Sequence, residues 1–232
     1  MNSFGSQLKW QFVLLQKNSI IAVSFAVTLM YGLVLYFLRD INGLDKLVVA
    51  LVLNDPSVIG YFFIALSIYI ELKHQILQAI FVTPFNLHHL LISKVISISL
   101  IGAVCSLGLA FSVKGFDFNI VLFAIGSLAI SVLSALLGLY MLTFSDEILK
   151  FTMTSIPVFL VFVNLPLIQY LGVLELGVVK YILPIQGSLD LIDYAVSGTT
   201  VNFVYAVVSI VVFIPLFYWM AFRRFSSKIV HQ

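Results

Sequence analysis

"ELKHQILQAIFVTPFNLHHLLISK", Glu71–Lys94, gathers charged, imidazole and amide side chains more densely than any other stretch of the chain. Apolar sequence presses on it from both sides, with "GYFFIALSIYI" ending at Ile70 and "VISISLIGAVCSLGLAF" starting at Val95. A soluble domain carries about a quarter charged residues. This chain of 232 residues has 9% charged and 62% hydrophobic residues, with a mean hydropathy of +1.14. So little charge cannot cover a globule, so the solvent of the chain is lipid. The polar stretch is then a connection between two membrane spans.

Working outward from it, a spanning helix needs roughly 20 mostly apolar residues. Six apolar runs stand out, the second of them short: Ser19–Leu38, Pro56–Ile70, Leu87–Val113, Phe118–Phe144, Phe151–Tyr170 and Val201–Phe222. The expected fold is all-α, a polytopic membrane protein of six transmembrane helices forming one domain over residues 1–232. The second span has an alternative start, because "LVVALVLNDP" is itself apolar. Asn54, Asp55 and Pro56 would then interrupt a re-entrant approach, which is tolerated only where protein or water surrounds the backbone. Residues 1–18 lack the basic region, apolar core and cleavage site of a signal peptide. Phe4, Leu8, Phe12 and Leu15 share one helical face, which reads as an interfacial helix lying on the membrane. An early start to the first span is the alternative.

Lys and Arg favour cytoplasmic loops. With the N-terminus in the cytoplasm, that side holds Lys9, Lys17, Lys73, Lys94, Lys150, Arg223, Arg224 and Lys228, against Arg39, Lys46, Lys114 and Lys180 outside. Asp55 is counted outside. Six spans return the C-terminus to the cytoplasm. The single cysteine, Cys105, excludes an intrachain disulfide and a cysteine-built metal site, and the net charge of +2 is too small to argue for nucleic acid.

Within the polar stretch, Ile76, Leu77, Ile80 and Phe81 form one apolar arc, with Gln75 and Gln78 on other faces. Thr83-Pro84 suits an N-cap followed by proline at the first position of the next helix. An amphipathic helix at a membrane surface is shaped to sit in the groove of a soluble partner.

"NDPSVIGYFFIALSIYIELKHQILQAIFVTPFNLHHLLISKVISISL" resembles the second span, coupling helix and third span of ABC type-2 exporter permeases. The positions that carry the likeness are Glu71, Thr83-Pro84 and Lys94. "LPIQGSLDLIDYAVSG", residues 183–198, resembles the external helix before the last span of that family, and "FRRF" its basic cytoplasmic end. The likeness covers nearly the whole chain and is nearest to the short fluoroquinolone or drug-export permeases. It implies a bacterial inner-membrane exporter subunit. A second membrane subunit, identical or different, would complete it. Cytoplasmic ABC ATPase subunits would hold ATP and Mg, for this chain has no G-x-x-x-x-G-K-[ST]. Residues 71–86 become the coupling hairpin, with Glu71, Lys73, His74, Gln75, Gln78, Thr83 and Asn86 at the ATPase contact or supporting it. A buried carboxylate at Glu71 would need a cation, with Lys73, Lys94 and Arg223-Arg224 as candidates. Lys94 reads first as an interfacial anchor.

Asn164, Pro166 and Gln169 are polar or helix-breaking positions in the fifth span, either on the substrate path or the dimer seam or at a kink. Ser127, Ser131, Ser134 and Gly138 form a small-residue stripe for close helix packing. An intramembrane metal enzyme would use Glu71 and His74 with His88-His89. Four histidines in all are few for that, and adjacent ones point apart on a helix. A six-span channel without an ATPase is the other rival. Haem-export and lantibiotic-immunity permeases have similar length, so the substrate stays open.

Overall fold

A computed structural model describes residues 4–38, 44–75, 86–145 and 147–230, and these are helical, with no strand among them. Helix α1 (Phe4–Lys17) is followed by α2 (Ile20–Phe37), α3 (Leu44–Lys73), α4 (Leu87–Lys114), α5 (Ile120–Leu142) and α6 (Ile148–Tyr170). A 3-10 turn at Gly177–Ile182 leads to α7 (Gln186–Ser197) and then α8 (Phe203–Val230). Six of these helices, α2 to α6 and α8, are long and apolar enough to cross a membrane. The all-α, six-span expectation therefore holds.

Two boundaries need correction. Helix α3 starts at Leu44, not Pro56, and runs unbroken through Asn54, Asp55 and Pro56. The re-entrant reading fails, because the helix continues through the proline from Leu44 to Lys73. Asp55 lies inside the span, 3% exposed, and not in an external loop. Helix α8 continues past Phe222 as far as Val230. At the other end, α1 is a separate helix and not an early start of the first span. Ser19, at φ 60° and ψ 10°, breaks the chain between α1 and α2. The most buried side chains of α1 are Gln11 and Leu15, so an amide shares the face assigned to apolar residues.

Helices α3, α4 and α5 form the core, with 61%, 72% and 61% of their apolar windows buried, against 22%, 28% and 11% for α2, α6 and α8. The small-residue stripe of α5 explains how the core closes. A Cβ on Gly60 of α3 would lie 2.5 Å from the Ser131 carbonyl oxygen, and one on Gly102 of α4 would lie 2.6 Å from Ser131 Oγ. A Cβ on Gly138 would strike the Tyr61 carbonyl. The stripe thus serves packing within the subunit, where small residues let helix backbones approach.

Helix α7 is wedged against α5 and α8 by the same device. Gly126 faces Ile192 and the Ser188 carbonyl, and Gly187 faces Ala206 and Ser209. Gly198, at φ 67° and ψ 18°, ends the helix in the left-handed conformation glycine adopts without cost. Burial holds the Asp190 carboxyl above its ordinary value of 3.8, against the lowering effects of Gln186, whose Nε2 donates to Asp190 Oδ1 at 2.7 Å, and of Lys180. An acid raised by folding binds its proton more tightly in the folded state. Its contribution is present below the ordinary value and is lost as pH rises through the raised one. Asp190→Asn keeps an acceptor for Gln186 and removes the ionisation. It is expected to raise the thermal midpoint at pH 7, with the gain over wild type vanishing as pH falls below 3.8 in a pH series of melting curves.

Candidate functional site

The last two turns of α3 place Ile64, Ser67, Ile68 and Glu71 on one helical face, and all four are buried. The first turns of α4 place Leu90, Leu91, Lys94 and Ile98 on one face, equally buried. Each helix therefore presents a charge at a position otherwise reserved for core side chains. Glu71 is 0% exposed and Lys94 is 1% exposed, and the two form an ion pair through Lys94 Nζ and Glu71 Oε1. Lys94 Nζ also donates to Ser67 Oγ at 3.1 Å, and Ser67 Oγ lies 3.4 Å from Glu71 Oε1 as a donor to it. An unpaired charge in such surroundings costs several kcal/mol, roughly, which the partner offsets only when the geometry is good. Of the cations that sequence offered to Glu71, the structure selects Lys94. Lys94 is not an interfacial anchor, because its whole side chain is sealed between two helices.

The pair closes one end of an antiparallel couple. At the other end of the same two helices, Lys114 Nζ meets Asp45 Oδ1 at 2.6 Å. That outer bridge is solvent-accessible, and such bridges contribute about 0–1 kcal/mol. The buried one carries the tie between α3 and α4 where the connecting segment leaves.

Around the pair, the start of α4 is a junction. Asn86 caps α4, its Oδ1 accepting the His88 N–H at 3.0 Å. The cap of α4, which begins at Leu87, is thus Asn86, a residue type well suited to that position. His88 Nδ1 shares a 2.8 Å hydrogen bond with Tyr218 Oη, and its ring stacks on Phe222 at 3.7 Å. His89 meets Phe4 of α1 edge-on at 6.1 Å. The two adjacent imidazoles thus tie α4 to α8 and to α1.

Lys73, His74 and Gln75 are exposed where α3 ends, and Gln75 turns the chain at φ 56°. Gln78 and Thr83, and the expected amphipathic arc from Ile76 to Phe81, lie outside the described residues. The Glu71–His74 pairing of the metal-enzyme reading does not form, for Glu71 points into the core and His74 is exposed. Among the described residues no group of three or more His, Cys, Asp or Glu could hold a metal ion.

Asn164, Pro166 and Gln169 sit elsewhere, toward the far end of α6. The chain makes a π-helical turn at Leu160–Asn164 immediately before Leu165-Pro166. A proline ring clashes with the carbonyl four residues back in a regular helix, and a wider turn relieves that clash. Asn164 closes that wider turn and Pro166 follows it. Gln169 Oε1 is buried without a hydrogen-bond partner.

Asp55 is the ionisable side chain that sequence reading placed outside and the structure places within the bilayer span. Its Oδ2 lies 3.1 Å from Thr28 Oγ1 of α2, which also donates to the Ser24 carbonyl at 2.9 Å. Ionisable residues inside spans are costly and are functional candidates by default. The signal available in the sequence was the uninterrupted apolar run before Asn54.

The sequence profile of the Fluoroquinolones export permease protein family matches residues 2–232, nearly the whole chain. No curated protein matches.

The buried pair makes a quantitative demand. Glu71→Ala or Lys94→Ala alone leaves an uncompensated charge and is expected to destabilise the protein by about 3–5 kcal/mol. The double replacement Glu71→Leu with Lys94→Met, which removes both charges and fills the space, is expected to recover most of that loss. Denaturant titration of the three variants in detergent micelles checks the non-additivity.

Proposed function

The chain belongs to the fluoroquinolone export permease family, and we propose that it is the membrane-spanning subunit of an ATP-driven exporter whose ATPase is a separate polypeptide. The observation that carries this reading is the buried Glu71–Lys94 pair at the base of the connecting segment. A force applied to residues 76–85 reaches α3 and α4 together, because their ends are joined by a tie that cannot open into lipid at low cost. The same junction passes the displacement to α8 through His88 and to α1 through His89. A cytoplasmic ATPase seated on Lys73, His74, Gln75 and the segment holding Gln78 and Thr83 would drive the core helices as a unit.

ATP binding shifts such an equilibrium only by its differential affinity for the two conformations. Binding to the closed ATPase supplies that difference, and the permease alternates between inward- and outward-facing arrangements. The sparsely buried helices α2, α6 and α8 leave apolar faces for lipid and for a second membrane subunit. With six spans between them, both termini fall on one side, and the excess of Lys and Arg there supports a cytoplasmic location at a bacterial inner membrane. The substrate is apolar or amphipathic, in keeping with the drug-export name of the family.

Co-expression with a candidate cytoplasmic ABC ATPase subunit, followed by purification in nanodiscs, tests the reading. Wild type is expected to retain the ATPase and to transport a fluoroquinolone only with ATP. Glu71→Ala with Gln78→Ala is expected to lose the partner or to uncouple it, lowering drug-dependent ATP turnover at least tenfold. Glu71→Leu with Lys94→Met is expected to fold and retain the ATPase but to couple at least fivefold less well, since apolar packing does not fix the register of the two helices as a hydrogen-bonded pair does. Transport by wild type in the absence of any ATPase would replace this reading with a six-span channel.

A further inference from the structure

The C-terminal end of α8 carries a site that the transport reading does not use. Phe203 to Arg223 is about 30 Å of helix, the thickness of a bilayer's hydrocarbon core. Arg223 and Arg224 therefore emerge at a membrane surface, with Trp219 one turn deeper. Tyr140 of α5 together with Trp219, Met220, Arg223, Arg224 and Ser227 of α8 lines an open cavity of about 400 Å³. The Arg223 guanidinium lies over the Trp219 ring at 5.5 Å, and that of Arg224 over Phe144 at 4.9 Å. Stacking on an aromatic face orients a guanidinium plane and leaves its N–H edge to other partners. Neither arginine has an ion-pair partner among the described residues.

We propose that this cavity binds the headgroup phosphate of an anionic phospholipid. Two guanidinium forks at headgroup depth match the oxygens of a phosphodiester. Trp219, 57% exposed, and Met220 form an apolar floor on the bilayer side. A free phosphate compound shares the headgroup chemistry but has no use for that floor, whereas the first carbons of an acyl chain cover it. Basic pockets between spans are the recurrent form of anionic-lipid sites. The site stands whether or not an ATPase binds the chain.

Trp219 reports on its own site. Trp10→Phe leaves it as the single tryptophan, since the chain has two. This variant is reconstituted in phosphatidylcholine vesicles carrying a small fraction of acyl-brominated phosphatidylglycerol or acyl-brominated phosphatidylcholine, and fluorescence quenching is titrated. Brominated phosphatidylglycerol is expected to quench with an apparent affinity about 30-fold higher than its zwitterionic counterpart. Adding Arg223→Ala with Arg224→Ala is expected to make the two lipids equal. Arg223→Lys with Arg224→Lys, a milder change that guards against a misfolded alanine variant, is expected to lower the preference several-fold. Equal quenching by the two lipids in the parent overturns the proposal, as does a preference unchanged by both pairs of substitutions. Loss of the preference in millimolar inorganic phosphate overturns it in favour of a free-phosphate site.

Discussion

A carboxylate and an ammonium sealed between two helices of a lipid-solvated protein impose a constraint that no other ion pair among the described residues shares. Glu71 and Lys94 are almost wholly inaccessible, and each sits on the face its helix uses for packing. In those surroundings neither charge is tolerable alone, so α3 and α4 must keep their relative register wherever both are ionised. The connecting segment between them therefore hangs from a fixed base. The exposed Lys114–Asp45 bridge at the opposite end cannot play this role, because solvent is available to either partner there.

The remaining architecture follows from how closely neighbours approach that base. Glycines on α3 and α4 face the serine stripe of α5, so the three helices pack closely at that centre. Helices α2, α6 and α8 stand outside with apolar faces uncovered. Two of the outer elements are nevertheless wired to the base through adjacent histidines, one to Tyr218 and Phe222, the other to Phe4. The fold thus joins a stiff centre to peripheral helices at the end where the polar segment emerges.

The spans were legible because apolar length is a local property. Five of the six began within a few residues of their observed starts, and the stripe of Ser127, Ser131, Ser134 and Gly138 announced close packing before any partner helix was known. What local reading could not supply was the environment of single polar residues. Asn54-Asp55-Pro56 carries every mark of a turn, yet it lies within α3, where Thr28 of another helix meets Asp55. Lys94 looks like an anchor at the head of a span, and only the position of Glu71, 23 residues earlier, reveals it as a core residue. Asn86 caps α4 because the helix begins at Leu87. Arg223 and Arg224 read as topology signals, while their stacking on Trp219 and Phe144 is a tertiary fact.

The claim that α3 and α4 move as one body is open to a direct distance measurement. Spin labels at Leu72 and His89, in a Cys105→Ser background, report the separation of the two helix ends flanking the connecting segment. In a complex assembled with the proposed ATPase, one narrow distance distribution is expected, the same with and without ATP, and broadened when Lys94→Ala is added. A wild-type distribution that shifts on ATP binding would contradict it, because the buried pair would then not be holding the two helices together.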